Sequence, residues 1–169
     1  MGNRSRVTWY HRTCPGMNIT SRYGWENKME ENLLEVREYT DEGYRPLVDF
    51  NDWRVAILNY IDEIHPDKNQ TLERHTSTDE VFVLLHGQAS LIIGGNGPGL
   101  GEVNPQCLEP GKLYNVRRNT WHTVLMSQDA SILLVENRDT GASNTEYARM
   151  PQSSLEKMQS YAKTEGFDR

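Results

Sequence analysis

The stretch TLERHTSTDEVFVLLHG, residues 71–87, decides the fold, because it joins chemically active side chains to an apolar run that ends at histidine and glycine. On a β-strand, residues two apart face the same side, so Glu73 and His75 point the same way. A short polar link then leads to Glu80, which opens the apolar run EVFVLLHG. The pattern predicts two consecutive strands, the first ending and the second beginning with polar residues.

Side chains alternate between the two faces of a strand, and this alternation, here called parity, predicts which side chains share a face. In the second strand Glu80, Phe82 and Leu84 point the same way. Much later, the segment RRNTWHTVL places His122 at the head of another apolar strand, with Trp121 on the opposite face. If the fold brings these strands together, two histidines and two carboxylates converge. Imidazole and carboxylate are both ligands of divalent metal ions.

The segments on either side of this stretch indicate an all-β domain. Turn-forming residues separate short runs rich in β-branched and aromatic residues, which predicts seven or eight strands in a β-sandwich or jelly-roll barrel. Tyr60 is expected to line the barrel with Phe82 and Leu84, and Trp53 to pack at its mouth. The predicted strands occupy residues 33–39, 53–62, 80–87, 88–95, 112–116, 121–126 and 131–137.

The sequence also predicts the structure of three segments that connect the strands. Gly87 and Gln88 predict a tight hairpin between the strands on either side. The glycine-rich segment 94–102 lacks the Lys-Ser/Thr ending of a phosphate-binding loop, so it is interpreted as a hairpin loop. The polar segment 136–150 is interpreted as a surface loop, with a lid or a dimer arm as alternatives.

The chain is expected to have three parts. Residues 1–28 are polar without a sustained period, which predicts a flexible N-terminal arm. Residues 29–150 form the barrel domain, and Met29 is an alternative start of translation. Residues 151–169 form a C-terminal helix and tail, because Leu155 and Met158 begin an apolar stripe at helical spacing.

Composition and charge exclude some classes of partner. The 169 residues carry a formal net charge of −6, which gives no reason to expect nucleic acid or an anionic membrane as a partner. No apolar run reaches the roughly 18 residues of a membrane helix, and the N-terminus lacks the apolar core of a secretion signal. Cys14 and Cys107 are far apart in the sequence and form no metal-binding pair. A cytoplasmic protein is therefore expected.

The sequence resembles the cupin superfamily, whose members are small double-stranded β-helix barrels, and two spaced motifs carry the resemblance. The first motif has the form G-x5-H-x-H-x4-E-x6-G. His75, Glu80 and Gly87 match it, whereas Asp67 stands at its first glycine and Glu73 at its first histidine.

The second motif has the form G-x5-P-x-G-x2-H-x3-N. Gly111 and His122 match it, whereas Arg117, Asn119 and Met126 stand at the positions of its proline, glycine and asparagine. The resemblance covers about residues 53–137.

The resemblance implies a metal site inside the barrel. The usual ligand set of the family is three histidines and one glutamate, and the corresponding positions here hold Glu73, His75, Glu80 and His122. His75, Glu80 and His122 are also the expected catalytic residues. The ion is expected to be manganese, iron or zinc, and the two carboxylates favour manganese or iron(II).

The same resemblance implies either an enzyme or a binding module. Cupin relatives include sugar isomerases, epimerase-like enzymes and oxygenases, and a bound metal would polarise a carbonyl or hydroxyl of a small substrate or bind dioxygen. The chain also resembles, more faintly, nucleotide-sugar keto-isomerases, in which a histidine and a glutamate without metal move a proton beside a carbonyl. The binding-module alternative takes up a sugar or a small acid. A homodimer is expected, because exposed strand edges need covering.

Interpretations without a metal stay open for the same residues. Glu73 would then pair with an arginine such as Arg117, and Glu80 would form a hydrogen bond with His75 in a polar pocket. His86 shares the face of Glu80 by parity, but its place at a predicted turn is more typical of a surface histidine.

Overall fold

The computed structural model describes residues 33–167. The predicted arm, residues 1–28, lies outside the described residues, and so does Met29. The chain divides into two units, Met1–Val36 and Arg37–Arg169, and the fold is that of the second unit.

Within the described residues, ten strands and one α-helix, α1, form the domain, with a 3-10 turn at Asp62–Ile64. The elements are β1 Gly43–Phe50, β2 Trp53–Asn59, β3 Thr71–His75, β4 Glu80–His86, β5 Ala89–Ile93, β6 Asn104–Cys107, β7 Tyr114–Val116, β8 His122–Met126, β9 Ser131–Asn137, β10 Thr145–Arg149 and α1 Gln152–Glu165.

The strands form two five-stranded antiparallel sheets that face each other. The first sheet has the order β1-β2-β9-β4-β7, and the second has the order β10-β3-β8-β5-β6. The pairs are nested along the chain, because β3 pairs with β10, β4 with β9 and β5 with β8. One long antiparallel ribbon is thus rolled into two layers, which is the jelly-roll topology that cupins share. The expected all-β cupin fold with one C-terminal helix is confirmed.

Several strand predictions are confirmed, and others are wrong. Residues 33–39 have no regular secondary structure, so the first predicted strand is absent there. Sequence reasoning missed β1, β6 and β10. The four side chains of β6 are all exposed, and its Pro105 cannot donate to a ladder. The segment 136–150, interpreted as a surface loop, supplies the end of β9 and the whole of β10, which pairs with β3.

The predicted hairpin at Gly87 and Gln88 is also wrong. These residues join β4 in the first sheet to β5 in the second sheet, so they cross between layers. The glycine-rich segment 94–102 is a hairpin loop as predicted, because it connects the antiparallel neighbours β5 and β6.

The inner faces of the two sheets pack together as the main core. Phe82 and Leu84 of β4 lie in it as parity predicted, and Tyr60 packs partly buried against it. The alternation along β4 explains this packing, because Phe82 and Leu84 are buried whereas Val81 and Val83, which point to the other face, are only partly buried. The Glu80 side chain, which begins β4, therefore also faces the interior.

The second apolar cluster lies outside the barrel, between the second sheet and α1. Trp121 is 4% exposed in this cluster and packs with Leu72, Met158 and Ala162, which confirms that it lies on the face opposite His122. The guanidinium carbon of Arg74 lies 4.4 Å from the centre of the Trp121 ring system. The helix thus covers the outer face of the second sheet. No helix within residues 33–167 has the length and apolar character needed to cross a membrane.

Candidate metal centre

Three strands bring His75, Glu80 and His122 together at one end of the barrel. The Glu80 Oε2 atom lies 3.1 Å from His75 Nε2 and 3.0 Å from His122 Nε2. All three residues are at least nine-tenths buried, with exposures of 7%, 6% and 2%. The two histidines belong to the second sheet and the glutamate to the first, so the site bridges both layers.

The sheet register explains this convergence. His75 ends β3 and His122 begins β8, and these strands pair with Glu73 directly opposite His122. Glu80 begins β4, whose inner face looks across the barrel at the second sheet. The backbone N–H of Asn119 donates to the His75 carbonyl oxygen at 2.8 Å, which fixes the loop before β8 against β3.

Hydrogen bonds to the outer nitrogens hold both imidazole rings. His122 Nδ1 lies 2.9 Å from the backbone oxygen of Thr120, and His75 Nδ1 lies 3.0 Å from the hydroxyl oxygen of Thr145. A carbonyl oxygen only accepts, so His122 Nδ1 carries a proton. Metal-binding histidines are held in this way, with one nitrogen bonded to the protein and the other facing the ion.

The spacing of the facing atoms fits ligands of one ion. Two ligand atoms that lie about 2.1 Å from an ion at right angles are about 3.0 Å apart. The contacts of Glu80 with His75 and His122 have this separation.

Glu73 completes the predicted set at the rim of the site. It is half-buried on β3, and its carboxylate lies within 4.8 Å of the ligand nitrogens of His75 and His122. Burial raises the pKa of Glu73, and the negative charge of Glu80 raises it further. The four residues predicted from sequence are therefore neighbours, while their roles as ligands and catalysts stay predictions.

Sequence reasoning missed Glu136, which lies in the same cluster. Its carboxylate lies within 4.8 Å of the ligand atoms of His75 and Glu80. The Tyr44 hydroxyl donates to Glu136 Oε1. Burial raises the pKa of both side chains. Period-two alternation was the available signal, because Glu136 follows Ile132 and Leu134 on the inner face of β9.

The protonation of the central residues follows from their mutual contacts. Burial opposes ionisation of Glu80, but hydrogen bonds from His122 and His75 outweigh it and lower the pKa of this carboxyl. Burial likewise disfavours both imidazolium ions, but the hydrogen bond and charge of Glu80 outweigh it and raise the pKa of His75 and His122. Without an ion, the three residues therefore form a charge-assisted network.

A cavity of about 370 Å³ adjoins the cluster. Its volume lies within the range of about 300–1,000 Å³ that is typical of small-molecule sites. Its wall combines apolar side chains with the hydroxyls of Tyr44, Thr140, Thr145 and Tyr147. Among the described residues of this lining, Arg54 is the one arginine or lysine, and Asp49 holds it through contacts of 2.8 and 3.1 Å. The cavity is thus an acidic pocket with a rim of hydroxyl groups.

Three residues considered from sequence lie elsewhere. His86 is exposed, and its Nδ1 lies 2.8 Å from the Asp129 carbonyl oxygen, so it is a surface histidine as interpreted. Arg117 pairs with Asp79 at 3.1 Å, so the suggested partnership with Glu73 is wrong. Trp53 faces outward and does not line the cavity, so its predicted place at the mouth is also wrong.

The backbone conformation explains which residue stands at two of the motif positions. Gly87 has a φ of +70°, and a Cβ atom there would lie 2.6 Å from the Ala130 Cα. Asn119, which replaces a motif glycine, has a φ of 66°. Asparagine is among the few residues that enter this region readily, so this departure from the motif preserves the turn.

No protein-family profile and no curated protein matches the sequence. Among solved structures, the chain is similar to a cupin-2 domain protein from Shewanella frigidimarina, with 16% identity, a TM-score of 0.45 and coverage of 59% of this chain and 85% of that one. It is similar to KdgF from a Halomonas species, with 14% identity, a TM-score of 0.40 and coverage of 57% and 79%. It is also similar to the QdtA 3,4-ketoisomerase from Thermoanaerobacterium thermosaccharolyticum in complex with TDP, with 13% identity, a TM-score of 0.45 and coverage of 71% and 93%. At these identities the likeness concerns the fold alone.

Proposed function

We propose that this cupin-fold protein holds one divalent metal ion at His75, Glu80 and His122 and uses the adjoining cavity to bind or convert a small polar molecule. Glu73 supplies a further carboxylate ligand at the rim. The expected barrel domain, residues 29–150, includes these ligands, and the expected C-terminal segment, residues 151–169, includes α1, which packs on the outside of the second sheet.

The main support for this proposal is one hydrogen bond made by His122. Because Nδ1 gives its proton to the Thr120 carbonyl, Nε2 faces the Glu80 carboxylate with either a lone pair or a second proton. A lone pair facing a carboxylate is repulsive, and a cation between the two atoms removes the repulsion. Imidazole with Nδ1 protonated and Nε2 free is the form that binds metal.

The donor atoms indicate which ion fits. Two imidazole nitrogens and at least one buried carboxylate are supplied, with Glu73 and Glu136 within reach of the same cluster. Carboxylate-rich sets of this kind suit manganese and iron(II), whereas thiolate ligands suit softer ions. The site therefore fits manganese or iron(II), with zinc as the other expected ion.

The ligand is expected to be small and rich in oxygen. The cavity of about 370 Å³ offers hydroxyl groups for hydrogen bonding and a buried cluster of carboxylates that favours cations over free anions. When bound, a divalent ion polarises a carbonyl or hydroxyl oxygen of such a molecule. The chain's own contribution is to orient the molecule through these hydroxyls. Neutral sugars fit this description, and a small hydroxy acid fits it when its carboxylate binds the metal ion.

A metal-free alternative rests on the second protonation state of His122. If Nε2 carries a proton, Glu80 accepts hydrogen bonds from two imidazolium rings, and the raised histidine pKa values agree with that state. Such a network would move a proton in a keto-isomerase-like reaction, or would only bind a ligand. The metal content of the protein separates this alternative from the main proposal.

Metal analysis of the native and reconstituted protein tests the proposal. We expect close to one divalent ion per chain after loading with manganese, iron(II) or zinc and removal of free metal. The His122→Ala variant should lose it, whereas His86→Ala, a surface histidine, should keep it, and circular dichroism reports whether both remain folded. If the wild-type protein retains no ion, the metal-dependent proposal is wrong and the metal-free alternative remains. Turnover of a panel of keto- and aldo-sugars then separates an isomerase from a binding module.

A further inference from the structure

Two tyrosines, Tyr44 and Tyr147, lie in the wall of the cavity that adjoins the candidate metal centre. Tyr44 belongs to β1 and Tyr147 to β10, which are the outer strands of the two sheets. Their exposures are 42% and 65%, so neither ring is part of an apolar core. A tyrosine ring offers a large apolar face with a polar tip. The two rings are therefore available to a molecule that enters the cavity.

The hydroxyl group of each tyrosine is bonded to a glutamate of the site. The Tyr44 hydroxyl donates to Glu136 Oε1. Tyr147 lies directly opposite Glu73 on β3, so their side chains share a face. Burial raises the pKa of the Tyr147 hydroxyl, and the charge of Glu73 and a hydrogen bond to it raise this pKa further. Both carboxylates lie within 4.8 Å of a ring nitrogen of His75, and the two contacts are named the tyrosine–glutamate pairs.

The direction of these hydrogen bonds determines what the tyrosine–glutamate pairs offer to a ligand. A tyrosine hydroxyl has one proton to donate and keeps lone pairs that accept. Because the Tyr44 and Tyr147 protons go to carboxylates, the free positions on both oxygens are acceptors. The carboxylate oxygens accept as well, and the Thr140 hydroxyl already donates to the Asn137 carbonyl at 2.7 Å. A molecule that contacts these pairs must therefore supply hydrogen-bond donors.

The charge of the cavity wall disfavours an anionic group at the tyrosine–glutamate pairs. Glu73, Glu80 and Glu136 all line the cavity, whereas the charge of Arg54 is balanced by Asp49. An ionised carboxylate of a ligand has no proton to donate, and these glutamates repel it. An alcohol hydroxyl donates without carrying a charge. The pairs therefore favour a neutral molecule with several hydroxyl groups over an acid.

We propose that the two tyrosine–glutamate pairs are the ligand-recognition surface of the cavity and that their ligand is a neutral sugar. The sugar ring contacts the faces of Tyr44 and Tyr147, and its hydroxyl groups donate to the oxygens of the pairs. A site built around such hydrogen bonds discriminates strongly against molecules that cannot form them. The inference rests on the proposed function, because it assumes that the cavity takes up a small polar molecule, and it narrows that molecule from sugars and hydroxy acids to sugars.

Calorimetric titration of the zinc-loaded full-length protein tests this inference. The probes are D-glucose, D-galactose and D-mannose, and each is compared with the uronic acid that has a carboxylate in place of its terminal CH2OH group. We expect at least one of these hexoses to bind, and to bind more tightly than its own uronic acid. The comparison changes one group of the probe from a neutral donor to an anion and leaves the ring in place.

Two variants of Tyr147 separate the contribution of the hydroxyl from that of the ring. Tyr147→Phe should weaken hexose binding about fivefold to tenfold, because one neutral hydrogen bond is lost. Tyr147→Ala should weaken it further, because the ring is lost as well. Circular dichroism should show both variants folded, since the side chain is 65% exposed. Their zinc affinity should change less than their hexose affinity, which a purely structural role of Tyr147 would not produce.

Two matched controls change similar groups outside the cavity wall. Tyr39→Phe removes an exposed hydroxyl that contacts the Glu42 carbonyl, and Phe50→Ala removes an exposed aromatic ring of β1. Neither side chain lines the cavity, so both variants should bind the hexose as the wild type does.

The inference is overturned if no hexose binds, if every uronic acid binds at least as tightly as its hexose, or if the folded Tyr147 variants bind like the wild type. The zinc content of the same samples separates this failure from a failure of the metal centre. A protein that holds zinc but gives one of these results contradicts only the recognition surface. A protein that holds no zinc but binds a hexose through Tyr147 contradicts only the metal centre.

Discussion

Glu80 and His122 lie 42 residues apart in the sequence and on different sheets, yet their side chains meet at 3.0 Å in the interior. The contact joins the two layers of the barrel where β4 and β8 begin. Each partner would be costly to bury alone, because an unpaired polar group inside a protein loses its hydration. Their proximity is therefore stable only if a proton or a metal ion lies between them, and the dependence of metal affinity on pH and on the supporting hydrogen bonds separates these two cases.

Removing the hydroxyl behind His75 should weaken metal binding without abolishing it. In Thr145→Val, His75 Nδ1 loses its partner at 3.0 Å, so the ring is less firmly oriented toward the ion. Changes at such supporting residues reduce metal affinity by about 10–100-fold. Competition with a fluorescent chelator measures the affinity. Thr164→Val, which changes an exposed hydroxyl on α1, is the control and should leave the affinity unchanged.

Metal affinity should rise with pH and then level off. Although burial opposes it, Glu80 raises the pKa of His75 and His122 in the metal-free protein. An ion must displace those protons, so affinity is lost as the pH falls through the raised histidine pKa values and is constant above them. Calorimetric titration with manganese between about pH 5.5 and 8 measures this dependence. An affinity independent of pH over that window contradicts ligation by these two rings.

The Tyr44–Glu136 contact should contribute measurably to stability. Tyr44→Phe removes the hydroxyl that donates to the buried Glu136 carboxyl, which is 7% exposed. Removing one partner of a buried hydrogen bond costs about 1–3 kcal/mol, and because Thr140 still interacts with Glu136 and Tyr44 is partly exposed, the expected loss is about 1 kcal/mol. Urea unfolding measures it. Tyr39→Phe removes a solvent-exposed hydroxyl contact with the Glu42 carbonyl and should change stability less.

The crossover glycine between the sheets should not tolerate a side chain. Gly87→Ala places a Cβ atom 2.6 Å from the Ala130 Cα in a residue with a φ of +70°. The clash and the strained backbone should lower the free energy of unfolding by about 2 kcal/mol or more. Gly99→Ala is the matched control, because a Cβ there has no neighbour within 4 Å. Equal stability of the two variants in urea would show that the crossover can shift.

Sequence periodicity predicted the part of the site that lies on regular, half-apolar strands. Glu80, Phe82 and Leu84 alternate inward along β4, and His122 begins the apolar strand β8, so parity identified their faces. The spacing of the motif residues, rather than any local pattern, predicted that strands distant in the chain lie close together. Glu136 was missed although it continues the alternation of Ile132 and Leu134, because no motif position pointed to it.

Two of the three missed strands, β6 and β10, were missed for a common physical reason. The side chains of β6 are all exposed, and β10 exposes Glu146 and Tyr147, so neither shows apolar alternation. Their structure comes from pairing with β5 and β3, a tertiary contact that local sequence does not encode. The same limit explains why the predicted hairpin at Gly87 is wrong. A glycine turn indicates that the chain reverses direction, but local sequence does not show whether the next strand lies in the same sheet or in the facing one.

Anomalous scattering from a crystal grown with manganese tests the central claim most directly. We predict a single strong peak at about 2.1–2.3 Å from His75 Nε2, His122 Nε2 and a Glu80 carboxylate oxygen. A crystal in which the loaded protein shows no peak there, and in which Glu80 keeps direct hydrogen bonds to both imidazole rings, would contradict the metal centre.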